Sequence, residues 1–133
     1  MAHALSLNVS AHPGPADQID QLTHMIQKRP DDLSLYVRRG LAYSNNAQYH
    51  LALADFENVL TVNSASKLSH HIGVVYYRMG ELERALGYFD AFIAEFPKSY
   101  PSYEYRARVL RDMGRYPAAV ANLECYFELV ESP

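Results

Sequence analysis

The chain has 133 residues, of which 49% are hydrophobic and 20% charged, and its formal net charge is −3. This length and composition suit one folded domain that buries most of its apolar surface, and they exclude a wholly disordered chain. The acidic balance disfavours nucleic-acid binding, the single cysteine excludes an intramolecular disulfide, and no apolar run is long enough to cross a membrane.

The chain reads as an irregular start followed by helices. Residues 1–16, which include Pro13-Gly14-Pro15, predict an irregular lead-in, and from residue 17 the apolar residues recur with helical spacing. Residues 17–32 predict a single helix, and the rest of the chain predicts helices in pairs. The first helices of the pairs span 33–46, 66–79 and 100–113, and the second helices span 49–62, 81–96 and 116–131.

The helix pairs recur with a nearly constant period. Gly40 and Phe56 fall on Gly73 and Phe89 in the next pair, and a third copy follows at almost the same offset. Small residues allow the two helices of a pair to approach closely, and the aromatic residues fill the space between pairs. The period predicts repeats over 33–65, 66–99 and 100–133, preceded by a half repeat over 17–32.

Turn residues separate the two helices of each pair. Gly80 and Gly114 supply a residue without a Cβ atom, which adopts a positive φ without strain. Asn45-Asn46 is expected to play that part in the first copy. Pro117 is expected at the opening of the last helix, where a missing N–H costs little.

These repeats resemble the tetratricopeptide repeat, a helix-turn-helix unit of about 34 residues. The second copy carries the family's residues at Gly73, Tyr76, Gly80, Ala85, Phe89 and Pro97. Ser69 stands where the pattern often has tryptophan, and the first copy has Tyr36 at that place but Ser64 instead of the closing proline. The resemblance implies an all-α fold, a right-handed α-solenoid of about three repeats plus the N-terminal half repeat.

The resemblance also implies that the first helices line a concave groove and that the second helices form the outer wall. The first helices carry seven basic residues against two acidic ones, and the second helices carry one basic residue against nine acidic ones. A positive groove on an acidic body would orient an acidic peptide or a C-terminal carboxylate. The alternative is that the charge division is chance, because polar helix faces need charges in any case.

The expected function is therefore a protein–protein interaction scaffold, an adaptor or chaperone-like protein that holds a peptide segment of another protein. Family positions that face the groove, together with side-chain chemistry, predict the binding residues Val37, Leu41, Lys67, His70, Val74, Tyr77, Arg78, Arg108 and Arg111. Val37 and Leu41 stand where co-chaperones that clamp heat-shock protein tails carry lysine and asparagine, so that carboxylate clamp is absent. A three-repeat secretion-chaperone module fits the size of the chain, but no residue selects it.

Two other functions stay open. The apolar residues of the last helix favour self-assembly through the C-terminal hairpin, with Leu123, Tyr126, Phe127 and Val130 as the contact residues. RNA binding along the basic groove is a more remote alternative, because the chain as a whole is acidic.

We expect no enzyme activity, no cofactor and no metal. Adjacent His70 and His71 point about 100° apart on a helix, so they cannot close on one metal ion. Cys125 is expected to be a small buried thiol. The N-terminal residues lack the pattern of a secretory signal, which favours a cytoplasmic location.

Overall fold

A computed structural model describes residues 13–65 and 67–132. Among these residues the secondary structure is entirely helical, and each helix packs on the next along the chain. The helices are α1 (Pro15–Lys28), α2 (Leu33–Asn45), α3 (Tyr49–Val62), α4 (Ser69–Arg78), α5 (Leu82–Glu95), α6 (Tyr100–Asp112) and α7 (Tyr116–Glu131). The predicted all-α fold is confirmed: α2–α3, α4–α5 and α6–α7 form three hairpins of a solenoid, and α1 supplies the half repeat. None of the helices in the described ranges is both long and apolar enough to span a membrane.

The N-terminal boundary differs slightly from the expectation. Most of the predicted lead-in, residues 1–12, lies outside the described residues. Helix α1 begins at Pro15, slightly before the expected start, with the proline in its first turn, where no intrahelical N–H bond is lost.

Two tyrosines fix the start of the first helices in the outer repeats. The hydroxyl of Tyr36 donates to the carbonyl oxygen of Pro30 at 3.0 Å, and that of Tyr103 donates to the carbonyl oxygen of Pro97 at 2.9 Å. The middle repeat has Ser69 at this place, and α4 begins there, almost one turn later than expected. The middle repeat therefore lacks this tyrosine hydrogen bond, and its first helix, α4, is the shortest of the three first helices.

The turns inside the hairpins use a positive φ in all three repeats. Gly80 and Gly114 have φ values of 79° and 78°, as predicted. In the first repeat the residue with positive φ is Ala47, at 58°, so the assignment of this part to Asn45-Asn46 was wrong. Asn45 ends α2 and Asn46 keeps a φ of −94°. Ala47 stands one repeat before Gly80, so the repeat dictates the turn even where glycine is lacking.

In each of the first two hairpins, a glycine of the first helix lies in close contact with a phenylalanine ring of the second helix. Phe56 and Phe89 are completely buried. A Cβ atom built on Gly40 would lie 2.6 Å from Cε1 of Phe56, and one built on Gly73 would lie 3.0 Å from the ring of Phe89. The predicted close approach of the paired helices is therefore present in both hairpins.

We expect Gly40→Ala to lower the free energy of unfolding by about 1–3 kcal/mol, because the completely buried ring of Phe56 would have to shift to make room for the added methyl group. Gly87→Ala is the matched control, since Gly87 lies inside α5 with nothing within 4 Å of an added Cβ atom. That change should raise the free energy of unfolding by about 0.5–1 kcal/mol. Urea unfolding followed by circular dichroism measures both, and equal effects of the two substitutions would contradict the packing argument.

Candidate functional site

The first helices α2, α4 and α6 share a face on which a hollow of about 170 Å³ opens. Val74 is buried at its floor, Leu41 is half-buried, and Arg78 is exposed at its edge. We call it the central hollow; its lining residues are Leu41, Ser44, Asn45, His70, His71, Val74, Arg78 and Tyr105. It therefore joins residues of all three repeats.

A second hollow of about 380 Å³ lies between α1 and α2. We call it the N-terminal hollow; its lining residues are Pro13, Gln18, Gln21, Leu22, Met25, Arg38 and Leu41. Leu41 lines both hollows, so they adjoin each other. The two hollows together form the inner groove, which offers an apolar floor with one arginine in each part.

Arg78 is held in place by two residues of the preceding repeat. Its Nη1 atom donates to Oγ of Ser44 at 2.8 Å and to Oδ1 of Asn45 at 3.1 Å. Within the described ranges its Nε and Nη2 groups form no hydrogen bond. A guanidinium with one nitrogen fixed and its other edge free is suited to bind a carboxylate through two parallel hydrogen bonds.

Tyr105 is a groove residue that the sequence analysis missed. Its ring lies against Phe89, with ring centroids 5.7 Å apart, and the guanidinium of Arg108 lies 5.0 Å from its centroid. Arg108 is exposed and forms an ion pair with Glu104. Tyr105 stands one repeat after His71, which also lines the central hollow. The repeat offset could have identified it, but an aromatic residue at helical spacing first suggests core.

His70 lines the central hollow, but its side chain makes its hydrogen bond and its aromatic contacts with other residues of the protein. Its Nδ1 atom lies 2.7 Å from Oγ of Ser102, which is completely buried, and its ring packs against Phe89 and Phe92. Burial, followed by the adjacent His71, lowers the pKa of His70 to about 4. Burial also lowers the pKa of His71. Both side chains are therefore neutral at pH 7 and add no positive charge to the groove.

Tyr77 and Arg111 meet at one carboxylate near the ends of α4 and α6. The Tyr77 hydroxyl donates to Oδ2 of Asp112 at 3.1 Å, and Nε of Arg111 donates to Oδ1 at 2.9 Å. The hydrogen bond from Arg111 is the main cause of the lowered pKa of Asp112. Burial and the Asp112 carboxylate raise the pKa of Tyr77. Two of the predicted binding residues are thus tied to the same exposed carboxylate of this chain.

Lys67 and Val37 line neither hollow. Lys67 forms an ion pair with Glu95 of α5, and its Nζ atom lies 5.5 Å from the ring centroid of Phe96. Val37 is half-buried and packs against the core between the first and second hairpins. Of the predicted binding residues, the structure brings Leu41, His70, Val74 and Arg78 together.

Arg39 and Arg106 are two of the seven basic residues of the first helices, and both point at second helices. Arg39 donates twice to the buried carboxylate of Asp55, at 2.8 and 2.7 Å, and Nη1 donates to Thr23 on α1 at 3.3 Å. Arg106, two repeats later, bonds Asn122 at 2.6 Å and Asp90 at 2.9 Å. Each arginine therefore ties a first helix to the helices that pack on both sides of it. The charge excess counted from sequence overstates the charge of the groove.

The predicted self-association residues of the C-terminal helix α7 differ in exposure. Leu123, Phe127 and Val130 are 38%, 55% and 49% exposed. Tyr126 is half-buried against Tyr100, with ring centroids 5.9 Å apart. Cys125 is exposed, so the expectation of a buried thiol was wrong: it lies on the side of α7 that packs on no other helix. Across residues 13–65 and 67–132, no group of three potential ligands is placed to hold a metal ion.

Comparisons with known proteins agree with the repeat period. Residues 33–66 and residues 70–99 each match a family model of the tetratricopeptide repeat. These segments contain most of the α2–α3 and α4–α5 hairpins. Among curated proteins, none matches this sequence.

Solved structures share the fold at low sequence identity. A tetratricopeptide repeat protein from Parabacteroides merdae superposes with a TM-score of 0.76 at 25% identity, over 90% of this chain and 46% of its own. MamA AMB-1 superposes with a TM-score of 0.71 at 22% identity, over 85% of this chain and 68% of its own. Another MamA crystal structure gives 0.73 at 20% identity, over 88% of this chain and 69% of its own. The likeness to MamA shows the fold alone.

The burial of His70 makes stability depend on pH. The unfolded chain protonates this histidine below pH 6.5, whereas the folded chain keeps it neutral down to about pH 4. Protons therefore bind the unfolded state preferentially in that window, and stability is lost as the pH falls through it. When the pH is lowered from 6.5 to about 4, we expect the melting temperature of the wild type to fall by roughly 3 °C more than that of His70→Asn. The asparagine keeps a hydrogen-bonding group but does not titrate. Identical pH profiles of the two proteins in thermal unfolding would contradict the assignment.

Proposed function

The chain belongs to the tetratricopeptide repeat family, and we propose that it is a protein–protein interaction scaffold that holds an acidic peptide segment of its partner in the inner groove. The family and the hairpin solenoid support the interaction scaffold. The acidic peptide rests on one observation, the Arg78 guanidinium, which Ser44 and Asn45 fix beside an apolar hollow while its remaining N–H groups stay free among the described residues.

The groove selects the peptide by charge and by shape. A carboxylate that meets Arg78 would place the neighbouring apolar side chain of the peptide over Leu41 and Val74. Arg38 at the adjoining N-terminal hollow forms no hydrogen bond through its side chain within the described part of the chain, and it would meet a second acidic group. Because His70 and His71 are neutral, this preference is expected to rest on arginine alone and to stay constant across physiological pH.

The peptide preference can be determined before the partner is identified. Random peptides displayed on phage are selected on the immobilised chain, and we expect the enriched sequences to contain Asp or Glu at a fixed distance from an apolar residue. Enrichment of basic peptides, or of apolar peptides without an acidic residue, would contradict the proposal.

Arg78→Ala should weaken binding of the selected peptide by about 10-fold to 100-fold, because it removes hydrogen bonds between charged groups. Arg84→Ala is the matched control, since Arg84 is exposed on α5, away from both hollows, and its loss changes the net charge equally. Isothermal titration calorimetry measures both constants. Equal losses would show that only the overall charge matters, which would refute the role of Arg78.

The fixed position of Arg78 can be tested separately. Ser44→Ala combined with Asn45→Ala leaves all charges in place but releases the guanidinium. We expect binding of the same peptide to weaken by roughly threefold to tenfold, because the arginine must then be ordered on binding. An unchanged dissociation constant would show that the two hydrogen bonds do not prepare the site.

A further inference from the structure

Helix α7 carries a stripe of large apolar side chains that lies open on the surface. The stripe consists of Tyr116 (63% exposed), Val120 (54%), Leu123 (38%), Phe127 (55%) and Val130 (49%). Only three other large apolar side chains in the described residues are as exposed, two on α3 and one at the start of α6. A contiguous patch of this kind marks a contact surface.

Comparison with the preceding repeat shows that the equivalent face of α5 packs against another helix. A shift of one repeat towards the N-terminus places the stripe on Leu82, Leu86, Phe89, Ile93 and Phe96 of α5 and its C-terminal end. All five of these positions are buried or half-buried, and α6 packs against α5. Phe89, for example, contacts Tyr105 and shares a core cluster with Val109. The stripe on α7 is therefore the surface that, one repeat earlier, is covered by another helix.

The opposite end of the array cannot serve as that cover. The apolar residues of α1, Ile19, Leu22 and Ile26, are buried against the first hairpin. Its exposed side carries Asp17, Asp20 and several other polar residues. End-to-end stacking of α7 on α1 of another copy would therefore cover apolar side chains with charged ones. The other exposed large apolar side chains of the described residues number only three and lie apart from one another on α3 and α6, so the continuous apolar surface that a second copy offers is the same stripe.

We propose that two copies of this chain pair through the stripe on α7, each covering the other about a twofold axis. Such an isologous contact uses one surface twice and closes after two copies, so it does not propagate into a filament. Arg108 and Arg111 border the stripe, because both line the depression between α6 and α7 that Val120 and Leu123 also line. The stripe shares no lining residue with the central hollow, so the proposed pairing does not use that hollow.

Sedimentation equilibrium over a wide range of concentrations tests the pairing. We expect the wild type to approach twice the 15.1 kDa mass of one chain. Leu123→Glu combined with Phe127→Glu should weaken the dimer by at least about 100-fold, because both changes place charge at the centre of the contact. Leu51→Glu combined with Val62→Glu is the control, since it makes the same chemical change at exposed apolar residues of α3, away from the stripe.

Circular dichroism and thermal unfolding must show that both double variants remain folded. If the pair at Leu123 and Phe127 unfolds the chain, the single change Val120→Lys, at a position 54% exposed, provides the same test. A wild type that stays monomeric at all concentrations would overturn the proposal and leave the stripe to a helix of another protein. Equal disruption by the α3 control would overturn it as well.

Cross-linking distinguishes the twofold arrangement from end-to-end stacking. In a Cys125→Ser background, Leu123→Cys places one thiol at the middle of the stripe, where a twofold axis brings identical residues together. We expect a short bis-maleimide to join two such chains. If thiols at Leu123→Cys and Asp20→Cys in separate chains cross-link instead, the copies stack end to end, and the twofold proposal is wrong.

Discussion

The contact between a glycine of the first helix and a buried phenylalanine of the second sets the geometry of this molecule. Gly40 against Phe56 and Gly73 against Phe89 bring the paired helices closer than any side chain would allow. That distance fixes how each hairpin leans on the next, and so it fixes which residues of α2, α4 and α6 reach the shared face. The rings of Phe56 and Phe89 lie behind the central hollow, where they stack on its lining residues His71 and Tyr105.

Charge in this fold serves two separate purposes. Arg39 and Arg106 are structural residues whose partners lie on neighbouring helices, so their charge is neutralised inside the wall. Arg78 is also held by hydrogen bonds, but its partners are the neutral side chains of Ser44 and Asn45, so its charge stays available. The chemistry of the hydrogen-bond partner therefore separates the arginine that we propose as a binding residue from the two structural arginines.

The helices and hairpins could be predicted well from the sequence, because each repeat poses the same packing problem again at a nearly constant period. The site could be predicted less well, since a helical position says which face a residue occupies but not what its head group meets. Lys67 and Tyr77 occupy expected groove positions, yet each is tied to an acidic residue far along the chain. Tyr105 was missed for the converse reason, because its half-buried ring both packs on Phe89 in the core and lines the central hollow.

The positions of Arg39 and Arg106 also affect the order in which the repeats unfold. In the register of these arginines the middle repeat has Ile72, which is buried in an apolar cluster with Phe56 and Val59. The centre of the solenoid thus rests on apolar contacts, whereas both ends rest in part on hydrogen-bonded charges that salt and acid weaken. Amide hydrogens of α1 and α7 should then exchange by opening of the ends, and those of α4 by cooperative unfolding of the whole array.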